Sequence, residues 1–190
     1  MCDSKKNHNW IRFDVGPAPS SPWEKIWKLL FYRPRGINRI PRAWSNRELE
    51  KIGALLSGSV LNCSGWCDED KQGGFYREYF PRATEYHVSM RELHIYEGRD
   101  HSVRRRPDVA INLDRPLTPS LVGRYDIVIC HTVLEHVFNV FMAFENLTTL
   151  SRDIVIVVVP WCQRVHESSS SSDIYGDYWR IAPSALKRLF

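Results

Sequence analysis

The sequence contains no apolar run long enough to cross a bilayer, which takes about 20 residues. Its longest apolar run, residues 154–159 (IVIVVV), is short and β-branched and is typical of a buried strand. The first ten residues, MCDSKKNHNW, hold no apolar core of the kind that a secretory signal has. We therefore expect a cytoplasmic protein with no membrane partner.

Cysteine is scarce, and its spacing matches no disulfide framework. The chain has 5 Cys residues, an odd number, which favours a reducing compartment. Cys63 and Cys67 are four positions apart, but structural zinc sites usually combine two such pairs, and the second pair is missing. The expectation is a protein without a metal site.

A strong charge of either sign is also missing. The net charge of +4 and the pI near 8.8 are too mild to indicate a nucleic-acid partner. The densest basic cluster, residues 104–106, is interpreted as a solvated turn. Hydrophobic residues at 43% and charged residues at 25% over 190 positions fit one soluble globular domain with an additional arm.

Changes in composition divide the chain into three parts. Residues 1–21 are polar and end in GPAPSSP, which predicts a flexible N-terminal arm. Residues 22–57 are predicted to form an N-terminal helical cap, which either packs on the core or closes over a site. Residues 58–190 carry the alternating pattern of the main domain. The serine run 168–172 is predicted to be a mobile loop.

The second helix of the cap is predicted to begin at Ser45. Ser45 and Glu48 have the spacing of a capping box, and Gly58 is expected to end the helix. Its apolar positions at helical spacing predict a buried face made of Leu49, Ile52, Leu55 and Leu56.

Five apolar segments alternate with helical patterns in the main domain. A helix is predicted between the last two segments, because Val137, Val140, Phe141, Phe144 and Leu147 follow helical spacing. Near-continuous apolar strands separated by helices predict an α/β fold with a doubly wound, mostly parallel sheet and helices on both faces. The predicted strands are 59–63, 84–90, 108–113, 125–130 and 153–160.

In such sheets, ligands bind beyond the carboxyl ends of the strands, near the point where the strand order reverses. Small, polar or imidazole side chains follow all five predicted strands, which indicates one shared cleft. The segments concerned are 62–68, 89–90, 112–113, 131–136 and 160–166.

Two segments carry a family resemblance. Residues 124–160 run from an apolar strand through VLEHV (133–137) to a helix and an apolar strand ending in Pro, and DYWRIAP follows at 177–183. Both resemble class I S-adenosylmethionine-dependent methyltransferases. The resemblance covers about 58–190 and implies a Rossmann-like methyltransferase sheet, S-adenosylmethionine as cofactor and a small-molecule or glycan acceptor.

The same resemblance raises the question of completeness. The family sheet continues with two more strands, so the chain is expected to be a shortened member, truncated after the fifth strand, or a fragment. A sheet that stops there exposes a strand edge, and exposed edges invite pairing with another chain. We therefore hypothesise a homodimer.

The loop after the first strand departs from the family pattern. Asn62 stands where the family has an acid, and Ser64, Trp66 and Asp68 stand where it has glycines. Because tryptophan lacks the conformational freedom of glycine, we expect the loop to take a different path, with Gly65 as its one permissive point. Ser89 stands at the place of the ribose-binding acid. The resemblance assigns cofactor contacts to Asn62, Cys63, Ser64, Gly65, Ser89, Met90, Asn112, Leu113, His131, Thr132 and His136.

Catalysis needs a base only if the acceptor must lose a proton, and histidine suits that task near neutral pH. His166 and His131 are the first candidates and His136 the third, with Asp177 to orient or assist. Tyr178, Trp179 and Arg180 are candidates for lining an acceptor pocket, with Arg180 pairing an anionic group.

Two other functions compete with the methyltransferase hypothesis. The altered glycine loop and the missing ribose acid favour a catalytically inactive methyltransferase-like binding or scaffolding domain. A Rossmann-type oxidoreductase is least favoured, because G-x-G-x-x-G and its acidic partner are both absent. Glu135 and His136 also have a purely structural interpretation, as caps of the following helix.

Overall fold

The computed structural model describes residues 40–98, 103–163, 165 and 176–190. The chain divides into two compact units, Met1–Ile40 and Pro41–Phe190, and nearly all described residues belong to the second. The predicted arm, most of the predicted cap and the serine run at 168–172 lie outside the described residues. Among the described helices, none is both long and apolar enough to cross a membrane.

A parallel sheet of five strands forms the centre of the second unit. Its order is β5-β2-β1-β6-β7, and every neighbouring pair is parallel. A separate antiparallel pair, β3 and β4, lies outside this sheet. The strands are β1 Gly58–Asn62, β2 Ala83–Met90, β3 Tyr96–Glu97, β4 Arg104–Arg105, β5 Val109–Ala110, β6 Tyr125–His131 and β7 Ser151–Val158.

The strand order reverses between β1 and β6. The chain runs outward from β1 through β2 to β5, and then returns to β6 beside β1 and continues to β7. The predicted doubly wound, mostly parallel α/β sheet is therefore confirmed. Its reversal point places the carboxyl ends of β1 and β6 side by side, which is where ligands bind in sheets of this kind.

Helical elements cover both faces of the sheet. The helices are α1 Ile40–Gly53, α2 Val140–Leu150 and α3 Pro183–Leu189, with short 3₁₀ turns at Tyr76–Tyr79, Pro119–Leu121 and Leu134–His136. Because side chains alternate along a strand, Leu61 and Val128 pack toward α2, whereas Val60 and Ile127 pack toward α1 and the first 3₁₀ turn.

Helix α1 differs from its prediction at both ends. It begins at Ile40, so Ser45 lies inside the helix and caps nothing; its hydroxyl donates to the Arg42 carbonyl oxygen at 3.0 Å. The helix ends at Gly53, and Gly58 instead opens β1 with a φ of 125°. Leu49 is buried as predicted, but Leu55 lies beyond the helix and is 75% exposed.

The later elements also show differences. The third predicted strand shrinks to Val109–Ala110, and the basic cluster predicted to be a turn contains β4. Helix α2 begins at Val140, because the Asn139 side chain accepts from the Met142 amide at 3.2 Å and caps it. Phe141, one of the apolar residues at helical spacing, is 69% exposed.

Strand β7 is an edge strand in the described part of the sheet. Its backbone pairs with β6 along one side from Tyr125–Ser151 to His131–Val158. The predicted homodimer through this edge stays a prediction.

Candidate functional site

A cavity of about 410 Å³ opens at the carboxyl ends of the central strands. Its wall is built from the loop after β1, the end of β2, the residues after β5, and the end of β6 with the turn that follows. Most of the predicted cofactor-binding residues line it. These are Asn62, Ser64, Gly65, Met90, Asn112, Leu113, His131, Thr132 and His136.

Cys63 and Ser89, the two other predicted cofactor residues, lie beneath the cavity wall and do not line it. Both are fully buried. The Ser89 hydroxyl accepts from the Ser64 amide at 3.1 Å and donates to Cys63 Sγ at 3.6 Å. Burial raises the pKa of the Cys63 thiol to about 11, so this thiol is neutral. In this geometry both residues support the loop from below, and their assignment as cofactor contacts stays a prediction.

The loop after β1 takes the left-handed conformation at three positions. At these positions the family that the sequence resembles, the class I methyltransferases, has glycine. The φ angles are 54° at Ser64, 50° at Trp66 and 70° at Asp68. The expectation that the loop would leave this path because of Trp66 is therefore wrong. Gly65 is not the permissive point either, since it is absent from the positive-φ positions.

Gly65 is required for space rather than for φ. A Cβ atom at this position would lie 2.4 Å from both Cγ and Nδ2 of Asn62. Asn62 cannot move aside easily, because it is buried and its Nδ2 donates to Asp68 Oδ1 at 2.8 Å. The glycine thus lets the loop backbone cross directly over the Asn62 side chain.

Asp68 is the anchor of this loop. Its fully buried carboxylate accepts hydrogen bonds from Asn62 Nδ2, from the Tyr86 hydroxyl at 2.7 Å and from Arg77 Nε at 2.9 Å. Burial and the nearby Asp68 charge raise the pKa of Tyr86 well above its usual value, so its hydroxyl stays a donor. Asn62, at the place of the family's acid, is therefore occupied in holding Asp68.

The backbone amides of the loop also point into the protein. Gly65 N donates to the Ser89 carbonyl oxygen at 3.1 Å, and Trp66 N donates to Met90 Sδ at 3.2 Å. Together with the Ser64 amide, these bonds tie the loop to β2. The amide donors of Ser64, Gly65 and Trp66 are thus already used.

Trp66 forms part of the cavity wall. Its indole Nε1 donates to the Glu97 carbonyl oxygen at 2.8 Å, and its ring lies 5.6 Å from the Tyr96 ring. The β3–β4 pair therefore holds the indole in place. Sequence reasoning missed this contact because it did not predict the two-residue strands.

His131 is locked into a hydrogen-bonded network. Arg42 Nη1, which can only donate, lies 2.8 Å from His131 Nδ1, so Nδ1 must accept. His131 Nε2 then carries the proton and donates at 3.0 Å to Ser45 Oγ, whose own proton goes to the Arg42 carbonyl oxygen. Burial and the Arg42 charge lower the pKa of His131 to about 3. With both nitrogens engaged, this neutral ring is poorly suited to act as a base.

His136, the third candidate base, also lines the cavity. Its Nδ1 lies 2.8 Å from the Gly176 carbonyl oxygen, which only accepts, so Nδ1 carries a proton. In the neutral ring, Nε2 is then the basic nitrogen, and it lies 3.9 Å from Glu135 Oε1. His166, the first candidate, lies outside the described residues.

The DYWR segment is a structural support in this geometry. The Asp177 side chain is fully buried, and both oxygens of its carboxylate bind the Arg180 guanidinium, which explains the raised pKa of Arg180. Arg180 therefore pairs with Asp177, and its predicted pairing with an anionic acceptor stays a prediction. Trp179 Nε1 donates to the Val137 carbonyl oxygen at 2.9 Å and secures the turn after Leu134–His136.

The end of β2 lacks a carboxylate facing the cavity. Ser89 turns into the core, and the next two residues, Met90 and Arg91, line the cavity instead. Glu92 is exposed and lies 3.5 Å from His94. The ribose-binding acid that the resemblance implies has no counterpart at this strand end.

Sequence reasoning missed several charged residues of the wall. Arg42, Lys71 and Arg91 line the cavity together with Glu69 and Asp114. Arg42 lies in residues 22–57, the predicted helical cap, and no local motif marks it as a residue of a site. A scan against protein-family models found no match, and neither did a search of curated proteins. The geometry and the lining of this cavity are therefore the basis for a functional assignment.

Proposed function

We propose that the protein binds S-adenosylmethionine in this cavity and transfers its methyl group to a small-molecule or glycan acceptor. The observation that carries the proposal is the left-handed backbone at Ser64, Trp66 and Asp68. Non-glycine residues rarely adopt this conformation, and clusters of it occur at ligand sites. Here it recurs at alternate positions directly after β1, where the resembling family has glycines.

The cavity suits a ligand of this kind in size and in part of its lining. A volume of about 410 Å³ falls in the range of small-molecule sites, about 300–1,000 Å³. Met90, Ile111 and Leu113 offer an apolar wall, and Asn112 offers an amide, at the place that the resemblance assigns to the purine. The ribose is less well served, because Ser89, at the place of the family's acid, is buried, and the charged residue that lines the cavity near the end of β2 is Arg91.

The bound cofactor supplies an electrophilic methyl group on a sulfonium, so the protein mainly has to position the acceptor and exclude water. For an acceptor that loses a proton, we infer that His136 takes it. The Gly176 carbonyl oxygen fixes the proton on Nδ1, which leaves Nε2 as the basic nitrogen. Glu135, 3.9 Å away, stabilises the imidazolium that results.

A second candidate function is a methyltransferase-like domain that binds a ligand without catalysis. Two observations favour it. The loop amides of Ser64, Gly65 and Trp66 are consumed by bonds to β2, and the end of β2 presents Arg91 rather than an acid. Both changes weaken the contacts that the resemblance implies, without closing the cavity.

Calorimetric titration of the folded protein with S-adenosylmethionine and S-adenosylhomocysteine tests the first proposal. We expect saturable binding of both, with NADH as the control ligand that does not bind. An Asn112→Trp variant, which fills the cavity from its rim, is expected to lose this binding. If the wild-type protein binds neither ligand, the methyltransferase proposal fails. Binding without methyl transfer to any of a panel of hydroxyl and amine acceptors would favour the second candidate.

A further inference from the structure

Arg42 is a cation whose hydrogen-bond partners in the cavity wall are neutral. Its Nη1 donates to the Tyr76 hydroxyl at 3.0 Å and to His131 Nδ1 at 2.8 Å, and its Nη2 donates to Thr132 Oγ1 at 2.6 Å. Burial, above all, raises the pKa of Tyr76, and the pKa of His131 is lowered, so both partners stay uncharged at neutral pH. Among the described residues, no carboxylate forms an ion pair with Arg42.

This arrangement fixes the guanidinium without neutralising it. The Ser45 hydroxyl holds the tautomer of His131, and the Tyr76 hydroxyl donates onward to Asn46 Oδ1 at 3.2 Å. Each group is thus directed so that an acceptor faces Arg42. Arg42 is half-buried, and the acceptors that hold its guanidinium in place are all neutral. The network therefore leaves the charge of the guanidinium for an anionic group of a ligand to pair with.

The donors that remain suit an oxyanion. A guanidinium has five N–H donors, and the three bonds above leave the Nε–H and one Nη2–H. These two nitrogens share one edge of the planar group, the geometry that binds carboxylate or phosphate in a bidentate manner. Lys71, another residue of the wall, also lowers the pKa of His131 through its charge, so a second cation acts on this part of the wall. The same wall also carries the carboxylates of Glu69 and Asp114.

We propose that Arg42 forms an oxyanion-binding subsite in the cavity, which takes a carboxylate or phosphate group of the ligand. The subsite deepens the proposed function and rests on the same cavity. Under the methyltransferase proposal, the oxyanion is either the amino-acid carboxylate of the cofactor or an anionic group of the acceptor. Arg42 is a binding residue here, and His131, Tyr76 and Thr132 are its positioning residues.

The test compares two nucleosides that differ in the amino-acid part. S-adenosylhomocysteine carries a carboxylate, whereas 5′-methylthioadenosine lacks it. We expect Arg42→Met to weaken S-adenosylhomocysteine about ten- to a hundredfold, the range for hydrogen bonds to charged groups. Its affinity for 5′-methylthioadenosine should stay within about twofold of the wild type. Arg47→Met is the matched control, since Arg47 lies on the same helix with a 65% exposed side chain.

A second arm separates the sources of the oxyanion and the two proposals. Inorganic phosphate is titrated against wild type and variant by thermal shift. Stabilisation by phosphate that needs Arg42, with S-adenosylhomocysteine unaffected or not bound, supports the subsite and places its oxyanion outside the cofactor. If neither the nucleoside nor phosphate depends on Arg42, the subsite is refuted. Should Arg42→Met not fold, Arg42→Lys serves, because it keeps the charge but loses the planar fork.

Discussion

Replacement of Gly65 by alanine is expected to destabilise the protein strongly, although the backbone at this position is ordinary. The added Cβ would lie 2.4 Å from Asn62 Cγ, and Asn62 is buried with its amide bound to Asp68. Overpacking of this kind costs about 1–3 kcal/mol, and displacing a hydrogen bond to a charged group costs about 1.5–3 kcal/mol. We therefore expect the free energy of unfolding to fall by about 3–5 kcal/mol.

A double-mutant cycle isolates the clash. Asn62→Ala alone removes one donor from Asp68, which keeps the Tyr86 hydroxyl, and should cost about 2 kcal/mol. In the double variant the side chain that the new methyl would strike is gone, so the cost should stay near that of Asn62→Ala. Independent effects would instead sum to about 5–7 kcal/mol.

Urea unfolding followed by circular dichroism measures all four corners of the cycle. Additive costs, or a Gly65→Ala variant within about 0.5 kcal/mol of the wild type, would show that the loop does not cross Asn62 as described. The outcome bears on binding as well, because Gly65 lines the cavity and the same displacement would move the wall toward the ligand.

Two further predictions concern titratable groups. Burial alone would raise the pKa of Asp70, but hydrogen bonds from the Gln72 and Gly74 amides and the Tyr79 hydroxyl lower it below its ordinary value near 3.8. The stabilisation by this carboxylate is therefore present above about pH 4 and is lost as the pH falls through the lower folded-state pKa. Asp70→Asn should cost about 1.5–3 kcal/mol at pH 7 by urea unfolding and clearly less at pH 3, whereas an equal cost at both would contradict this account. His136→Gln should keep the affinity for S-adenosylhomocysteine within about twofold and lower methyl transfer to a hydroxyl acceptor by about a hundredfold or more, and unchanged transfer would remove His136 as the base.

The sheet could be predicted from the sequence because its strands carry their own signal. Strand β6, which is buried almost throughout, and the half-buried edge strand β7 both appear as apolar runs and match their predicted segments within two residues at each end. Strand β5 has only two residues, and much of its stabilisation comes from its pairing with β2. Two-residue pairs such as β3 and β4 depend on contacts distant in sequence and leave no periodic pattern.

The candidate site could likewise be predicted from the sequence only in part. Residues close to the end of a strand, such as Asn112 and Thr132, were placed at the cavity by topology alone. The topology does not determine the direction in which a side chain points. Ser89 points into the core, whereas Met90 lines the cavity. Arg42 was missed because it reaches the cavity from α1, an element before the sheet, and nothing local marks it.

For the loop after β1, residue type alone led to a wrong expectation about the backbone conformation. Three non-glycine residues in the left-handed region cost about 1–2 kcal/mol each. Asp68 offsets that cost with buried hydrogen bonds from Asn62, Tyr86 and Arg77, and Trp66 with its bond to Glu97. A glycine loop reaches this shape through its freedom, whereas this loop is held in it by side chains. It is consequently more rigid, and a ligand meets a wall that is already formed and does not have to order it.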